Sequence, residues 1–267
     1  MKAPLHSLLT TGAVLLSCFL SEPARADVLY VSNSGNTNTI VKVTGGGISS
    51  VFASSGLNYP LGLAFDSLGN LYAANFNGNS NDPNNSSIVK FTGGGVGSVF
   101  ASSGFYEPVG LAFDSVGNLY AATSKPNTIV KFAGSGASSV FASSGLTHAQ
   151  AIAFDSAGNL DAANQEGGTI EKFTPGGVGS VFANTERFGL TGLAFDSAGN
   201  LYAANYGSNT IEKFTPGGVG SVFASSGLNN PTLLAFGPVP EPATLAVGLL
   251  CLGAGMARRR RSARVAA

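Results

Sequence analysis

Hydrophobic residues come in short runs, three to five long, along most of the chain, and Gly, Asn, Ser, Asp or Pro bounds each run. The clearest copy is residues 193–224. It reads Leu-Ala-Phe-Asp-Ser-Ala-Gly-Asn-Leu-Tyr-Ala-Ala-Asn, a polar gap, Thr-Ile-Glu-Lys-Phe-Thr, a Gly-rich turn, then Ser-Val-Phe-Ala. The runs are rich in Val, Ile, Phe and Tyr. None is long enough for an ordinary helix or shows a 3.6 period, so they predict strands. In the second unit the four strands are predicted at 63–65, 71–74, 88–92 and 98–101. The first turn reads Asp-Ser-x-Gly-Asn: the Asp can accept backbone N–H bonds, and the Gly can take φ > 0. A four-stranded antiparallel meander of about forty residues has the size of a propeller blade.

Counting copies gives the architecture. The turn aspartates are Asp66, Asp114, Asp155 and Asp196, spaced by 48, 41 and 41 residues. The excess in the first interval lies in a polar, Asn-rich insertion at 77–87. The third-strand lysines (Lys42, Lys90, Lys131, Lys172, Lys213) and the first-strand phenylalanines (Phe65, Phe113, Phe154, Phe195, Phe236) each number five. The ends are complementary. The repeat region starts at Val28 with a second strand and has no first strand; it stops near Phe236 with a first strand and nothing after it. Pairing the two removes both exposed edges. The expectation is an all-β, five-bladed propeller closed by the N-terminal second-to-fourth strands and the C-terminal first strand. An open β-solenoid would leave the complementary ends unexplained.

The termini differ in kind. Residues 1–26 read as a signal peptide, with Lys2, an apolar stretch at 8–20 and the Ala24-Arg25-Ala26 cleavage site. The repeat domain is expected at 27–238. It carries seven basic and twelve acidic residues, a net charge of about −5, with no basic face for nucleic acid. Cys18 and Cys251 both lie in the terminal stretches, so the domain has no disulfide and no Cys-based metal site. After the repeats come Val239, Pro240, Glu241, Pro242 and Ala243, then fourteen uncharged residues at 244–257, then Arg258, Arg259, Arg260 and Arg261. Fourteen helical residues reach only about 21 Å, so a short membrane helix is expected.

This tail, 239–267, resembles the PEP-CTERM sorting signal of Gram-negative bacteria. The resemblance implies an exosortase partner, transient residence in the inner membrane, and delivery to the cell surface or an extracellular polysaccharide matrix. The repeats resemble the NHL and gluconolactonase/streptogramin-lyase propellers, through the Pro-x-Gly-Leu-Ala-Phe-Asp-Ser-x-Gly-Asn-Leu-Tyr-Ala-Ala-Asn pattern best seen from Pro60 and from Pro108. Such repeats host both enzymes and binding modules.

Candidate chemistry is sparse. A lyase of that group would use a His with an acid and a metal, and a lactonase-like site would gather acidic and Asn ligands around the funnel. The repeat domain has one histidine, His148, and neither constellation assembles from the sequence, so no metal or cofactor is expected. The face where first strands start and second strands end collects Asn33, Asn75, Thr123, Asn164 and Asn205, with Glu107, His148, Gln150 and Glu166 in nearby loops. Asn33, Asn75, Asn164, Asn205, Glu107 and His148 are the candidate ligand contacts; amides and hydroxyls suit sugar hydroxyls. The turn aspartates are expected to be structural. Glu171–Lys172 and Glu212–Lys213 are expected to be solvated pairs. Asp161 stands where other units place Tyr30, Tyr72, Tyr120 and Tyr202, so its carboxylate must be exposed or paired. The leading expectation is a non-enzymatic binding or scaffold module. The alternatives are a metal-dependent lactonase- or lyase-like enzyme and a protein-interaction platform.

Overall fold

The hydrophobic runs do become strands. The computed structural model describes residues 28–34, 37–44, 48–76, 86–185, 189–232 and 234. The first sheet has three strands, β1 (Leu29–Asn33), β2 (Thr39–Val43) and β3 (Ser49–Ala53). Four four-stranded sheets follow. They are β4 (Pro60–Phe65), β5 (Leu71–Asn75), β6 (Ser87–Phe91) and β7 (Gly97–Ala101); then β8 (Tyr106–Phe113), β9 (Leu119–Lys125), β10 (Thr128–Phe132) and β11 (Ser138–Ala142). The fourth blade is β12 (Ala149–Phe154), β13 (Leu160–Asn164), β14 (Thr169–Phe173) and β15 (Gly179–Asn184). The fifth is β16 (Leu190–Phe195), β17 (Leu201–Asn205), β18 (Thr210–Phe214) and β19 (Gly220–Ala224). Every pairing is antiparallel and sequential, so the fold is an all-β five-bladed propeller.

The first strand of each unit lies innermost, and the inner strands stand side by side. A methyl at Gly62 would run into the Val109 carbonyl, and one at Gly110 would lie 2.8 Å from the Gln150 carbonyl. Glycine here permits the close approach of neighbouring backbones. The inner strands run longer than predicted: β4 starts at Pro60, three residues before the expected start.

Thr232 and Leu234 line the central channel together with Ser32 and Ser34 of the first blade, and Thr191 Oγ1 donates to the Pro231 carbonyl at 3.0 Å. The predicted closing strand up to Phe236 lies mostly outside the described residues. So do the signal segment 1–26 and the sorting tail, which belongs to a separate unit, Phe236–Ala267. No helix among the described residues is long and apolar enough to cross a membrane.

The meander sorts the turns onto two faces. First–second and third–fourth turns share the lower face; second–third turns and the lead-in loops before each inner strand share the upper face. The lower face is stitched by the turn aspartates. Asp66 Oδ1 accepts from the Leu68 and Asn70 amides at 3.0 and 2.8 Å, and Oδ2 accepts from Asn70 Nδ2 at 2.8 Å. Asp114, Asp155 and Asp196 repeat this arrangement. Burial alone would raise the Asp66 carboxyl, but the Asn70 and Leu68 bonds and nearby Lys90 outweigh it and hold the group below its ordinary value.

Tyrosines seal the seams between blades. Tyr72 stands edge-on to Phe100 of its own blade and Phe113 of the next, with centroids 5.1 and 5.0 Å away. Tyr30 packs in the same way on Phe52 and Phe65, and Tyr120 on Phe141 and Phe154. Each such T-shaped pair contributes about 0.5–1.5 kcal/mol beyond the area it buries. The seam between the fourth and fifth blades lacks its tyrosine. Asp161 is fully buried there, and Lys172 Nζ lies 2.9 Å from both Asp161 Oδ2 and Asp155 Oδ2. The ammonium sits 4.7 Å from the Phe182 ring centroid and 5.7 Å from that of Phe195, between the two rings a tyrosine would have joined.

The expected solvated Glu–Lys pairs do not form. Neighbouring residues of a strand face opposite sides. Glu171 and Glu212 point inward and are buried, while Lys172 and Lys213 reach the turn aspartates on the other side, Lys213 Nζ lying 3.8 Å from Asp196. Burial pushes the Glu171 carboxyl up.

Candidate functional site

The upper face is built on an unusual backbone position. The backbone turns left-handed at the entry to the inner strands whatever the side chain: Tyr59, His148 and Gly189 immediately precede β4, β12 and β16, Glu107 is the second residue of β8, and Asn230 holds the matching position in the last unit; φ is between +45° and +55° at Tyr59, Glu107, His148 and Asn230 and +97° at Gly189. For bulky residues this costs on the order of 1–2 kcal/mol. The preceding blade holds each one in place. The amides of Tyr59, His148 and Asn230 donate to the side-chain oxygens of Asn38, Asn127 and Asn209 at 2.9, 3.0 and 2.6 Å. The Glu107 amide donates to Ser86 Oγ at 3.0 Å. In all four the partner is 21 residues upstream, in the second–third turn of the blade before.

A second clamp comes from the blade's own second strand. Asn75 Nδ2 donates to the Gly56 carbonyl and to Ser87 Oγ, both at 2.9 Å, and Asn75 Oδ1 accepts from the Asn58 amide at 3.0 Å. Asn164 does the same with Gly145, Thr169 and Thr147. Asn33 Nδ2 donates to Thr39 Oγ1 at 3.2 Å. Asn205 is fully buried, and its amide has no partner among the described residues. Its counterparts of Gly56 and Asn58 would be residues 186 and 188, outside the described set. The structure therefore does not bring the four asparagines together. Each sits in its own blade, and Asn75 and Asn164 spend their amides on their own lead-in loops.

Glu107 and His148 do converge, on one turn. Glu107 Oε2 accepts from Ser124 Oγ at 2.7 Å and Oε1 from Lys125 Nζ at 3.2 Å. Two residues further on, Asn127 holds the His148 amide. His148 Nδ1 lies 3.4 Å from Glu166 Oε1, an ion pair whenever the imidazole is protonated. Gln150 Nε2 donates to Gln165 Oε1 at 3.2 Å beside it. Blades three and four thus share a rim bearing a fixed carboxylate, a hydroxyl, an ammonium and an imidazole–carboxylate pair.

Inside the rim is a channel of about 400 Å³, walled by the inner strands. Leu63, Leu111, Ile152, Leu193 and Leu234 make it apolar, while Ser32, Ser34, Gln150, Thr191 and Thr232 supply hydroxyls and an amide; no charged side chain among the described residues lines it. Among the described residues, no three His, Cys, Asp or Glu side chains are placed to hold a metal ion. The three convergent ligands that would favour a metal-dependent funnel enzyme are not found in that set.

Residues 238–261 match the PEP-CTERM protein-sorting motif. That motif marks export and exosortase processing at the Gram-negative cell envelope. In fold, the chain is similar to virginiamycin B lyase from Staphylococcus aureus, at 15% identity and TM-score 0.63 over 79% of this chain and 71% of that one. It is similar to a chain of a nidogen/laminin complex, at 21% identity and TM-score 0.68 over 79% and 82%. It is also similar to a protein assigned as a gluconolactonase, at 18% identity and TM-score 0.54 over 66% and 67%. At these identities the likeness establishes the propeller fold. No curated protein sequence matches the chain.

Sequence reasoning missed three exposed aromatics. Tyr59, Tyr106 and Tyr206 are the exposed tyrosines among the described residues, and all three belong to the upper face. The signal was available: four of the seven tyrosines share one strand position, and the other three fall beside lead-in loops or second-strand ends.

Proposed function

We propose that this protein is an exported, non-enzymatic binding module whose upper face holds a neutral extracellular polysaccharide. On this reading the signal segment directs export. The tail tethers the precursor to the inner membrane until an exosortase cuts near Val239–Ala243, and the released propeller then joins the cell surface or matrix. The observation that carries the reading is the distribution of tyrosines. Flat amphipathic rings present an apolar face to sugar C–H groups and a hydroxyl to sugar oxygens, and the three exposed ones stand at the upper strand ends of blades two, three and five, whose inner strands wall a channel lined by hydroxyls. Glu107 and His148 supply further rim contacts. Asn75 and Asn164 act as the frame that fixes their lead-in loops, and Asn33 and Asn205 hold the matching strand positions.

The test is retention of purified protein on extracellular polysaccharide. A Tyr59→Ala, Tyr106→Ala, Tyr206→Ala triple variant should lose at least about tenfold in affinity, near 1.4 kcal/mol, with unchanged circular dichroism. Unchanged retention would overturn the reading. A second reading, a lactonase- or lyase-like enzyme of the same propeller group, is favoured by the His148–Glu166 pair at the rim. Turnover of a lactone or cyclic depsipeptide that vanishes in His148→Ala would establish it instead.

A further inference from the structure

The lower face differs sharply from the rim above it. Its turns end in bare aliphatic side chains: Leu68 and Val116 in the first–second turns are 85% and 81% exposed, and Ile48, Val96, Val178 and Val219 in the third–fourth turns are each at least 70% exposed. Their neighbours are mostly Gly, Ser and Thr, which do not screen them. The charges of this face neutralise one another. Lys90, Lys131, Lys172 and Lys213 each lie within 4 Å of the turn aspartate of their own blade. Lys42 has no carboxylate partner among the described residues, because Gly237 follows Phe236 where the other units place Asp. Apolar turn tips, paired charges and a Lys42 without a carboxylate partner among the described residues set this face apart from the rim above.

The path of the chain says what this face meets. Thr232 and Leu234 line the channel as Leu61 and Leu63 do in the second unit. Thr232 and Leu234 thus hold the places of Leu61 and Leu63, on a course that the other inner strands follow from the upper to the lower face. Ten residues later, at Thr244, the uncharged run begins. Ten residues reach at most about 35 Å, so a bilayer that takes up this run lies within that distance of the chain's point of departure. A link this short makes the meeting of face and bilayer effectively intramolecular.

We propose that in the tethered precursor the lower face rests on the bilayer. Leu68, Val116, Ile48, Val96, Val178 and Val219 enter the headgroup region, and Lys42 faces lipid phosphate. The proposal rests on the membrane-tether reading of the tail. Its consequence is orientation: the upper face points away from the membrane, toward its polysaccharide, before processing is complete. Single aliphatic tips at turn ends insert shallowly, in the manner of interfacial anchors, so the contact is reversible once the tether is cut.

The chain contains no tryptophan, so one introduced residue reports one place. Full-length protein carrying Leu68→Trp, Tyr106→Trp or Leu252→Trp would be reconstituted into phosphatidylethanolamine/phosphatidylglycerol vesicles containing phosphatidylcholine brominated on its acyl chains. The expected result is emission quenched in L68W and L252W, with a blue shift in both, and unquenched in Y106W. Val116→Trp should repeat the L68W result, which guards against a local defect at one turn. Quenching of L252W without quenching of L68W and V116W would overturn the seated face and leave the tether intact. No quenching of L252W would overturn the tether, and the seated face with it.

Discussion

Among the blade seams whose two sides are both described, three are closed by aromatic rings and one by ions. Tyr30, Tyr72 and Tyr120 each bridge two phenylalanines, whereas Asp161, Lys172 and Asp155 fill the seam between blades four and five. The same lysine position serves both designs. In the aromatic seams Lys90 and Lys131 hover 5.3 and 5.2 Å over the tyrosine ring and stay within 4 Å of their turn aspartate. In the ionic seam the lysine moves inward, because the tyrosine's place is empty and a second carboxylate waits there. Burial pushes Asp161 up to about 6, against the pull of Lys172, and the charge of Asp155 adds to the rise. For Lys172, burial is outweighed by its two carboxylates, which hold it above its ordinary value. The ring contacts of an aromatic seam do not titrate, whereas the ionic seam depends on the charge of Lys172 beside Asp161.

The largest break of this contrast is Lys172→Met. It strands a buried carboxylate, and denaturant unfolding should show a loss of about 3–5 kcal/mol. Lys90→Met in an aromatic seam should lose about 1 kcal/mol or less, since its pair is half-exposed. Next comes Asp161→Tyr, which rebuilds the phenylalanine–tyrosine–phenylalanine contact and removes the unpartnered Asp161 Oδ1. A gain of about 2 kcal/mol is expected; a loss would mean that the fourth seam has repacked beyond simple exchange.

The pH dependence follows in size. Asp161 holds its proton more tightly folded than unfolded, so the stability it contributes is complete below about pH 4 and is lost as the pH rises through about 6. The turn aspartates, whose carboxyls are lowered, act in the opposite sense: their contribution is present above about pH 4 and is lost on acidification. Asp161→Asn removes the first dependence alone. Its Tm advantage over the wild type should widen between pH 4 and 7 by roughly 5 °C, as differential scanning calorimetry would report. The smallest effect is Tyr72→Phe. It deletes the hydroxyl's contacts with Asp66 at 3.5 Å and with Lys90 but leaves the ring in place, and should change stability by less than about 0.5 kcal/mol.

The repeat was legible because each blade restates the same turn chemistry, and Asp66 with Asn70 behaves as its sequence suggests. Asp161 was legible as an anomaly, whereas its partner was not. Lys172 is its cross-strand neighbour, and register is set by pairing that a linear reading does not contain. Glu171 was misread for a related reason: adjacency to Lys172 in sequence looks like a pair, but strand alternation sends the two to opposite faces. The lead-in residues were hardest. Tyr, Glu and His give no hint of positive φ, and only the fixed distance back to Asn38, Ser86 or Asn127 betrays the bond that holds them.

That bond has an evolutionary side. Because a neighbouring blade dictates the backbone at Tyr59, Glu107, His148 and Asn230, one geometry carries four different side chains, like bits in a fixed socket. On the proposed binding role, recognition would be rewritten one socket at a time, and the framework need not be relearned with each change.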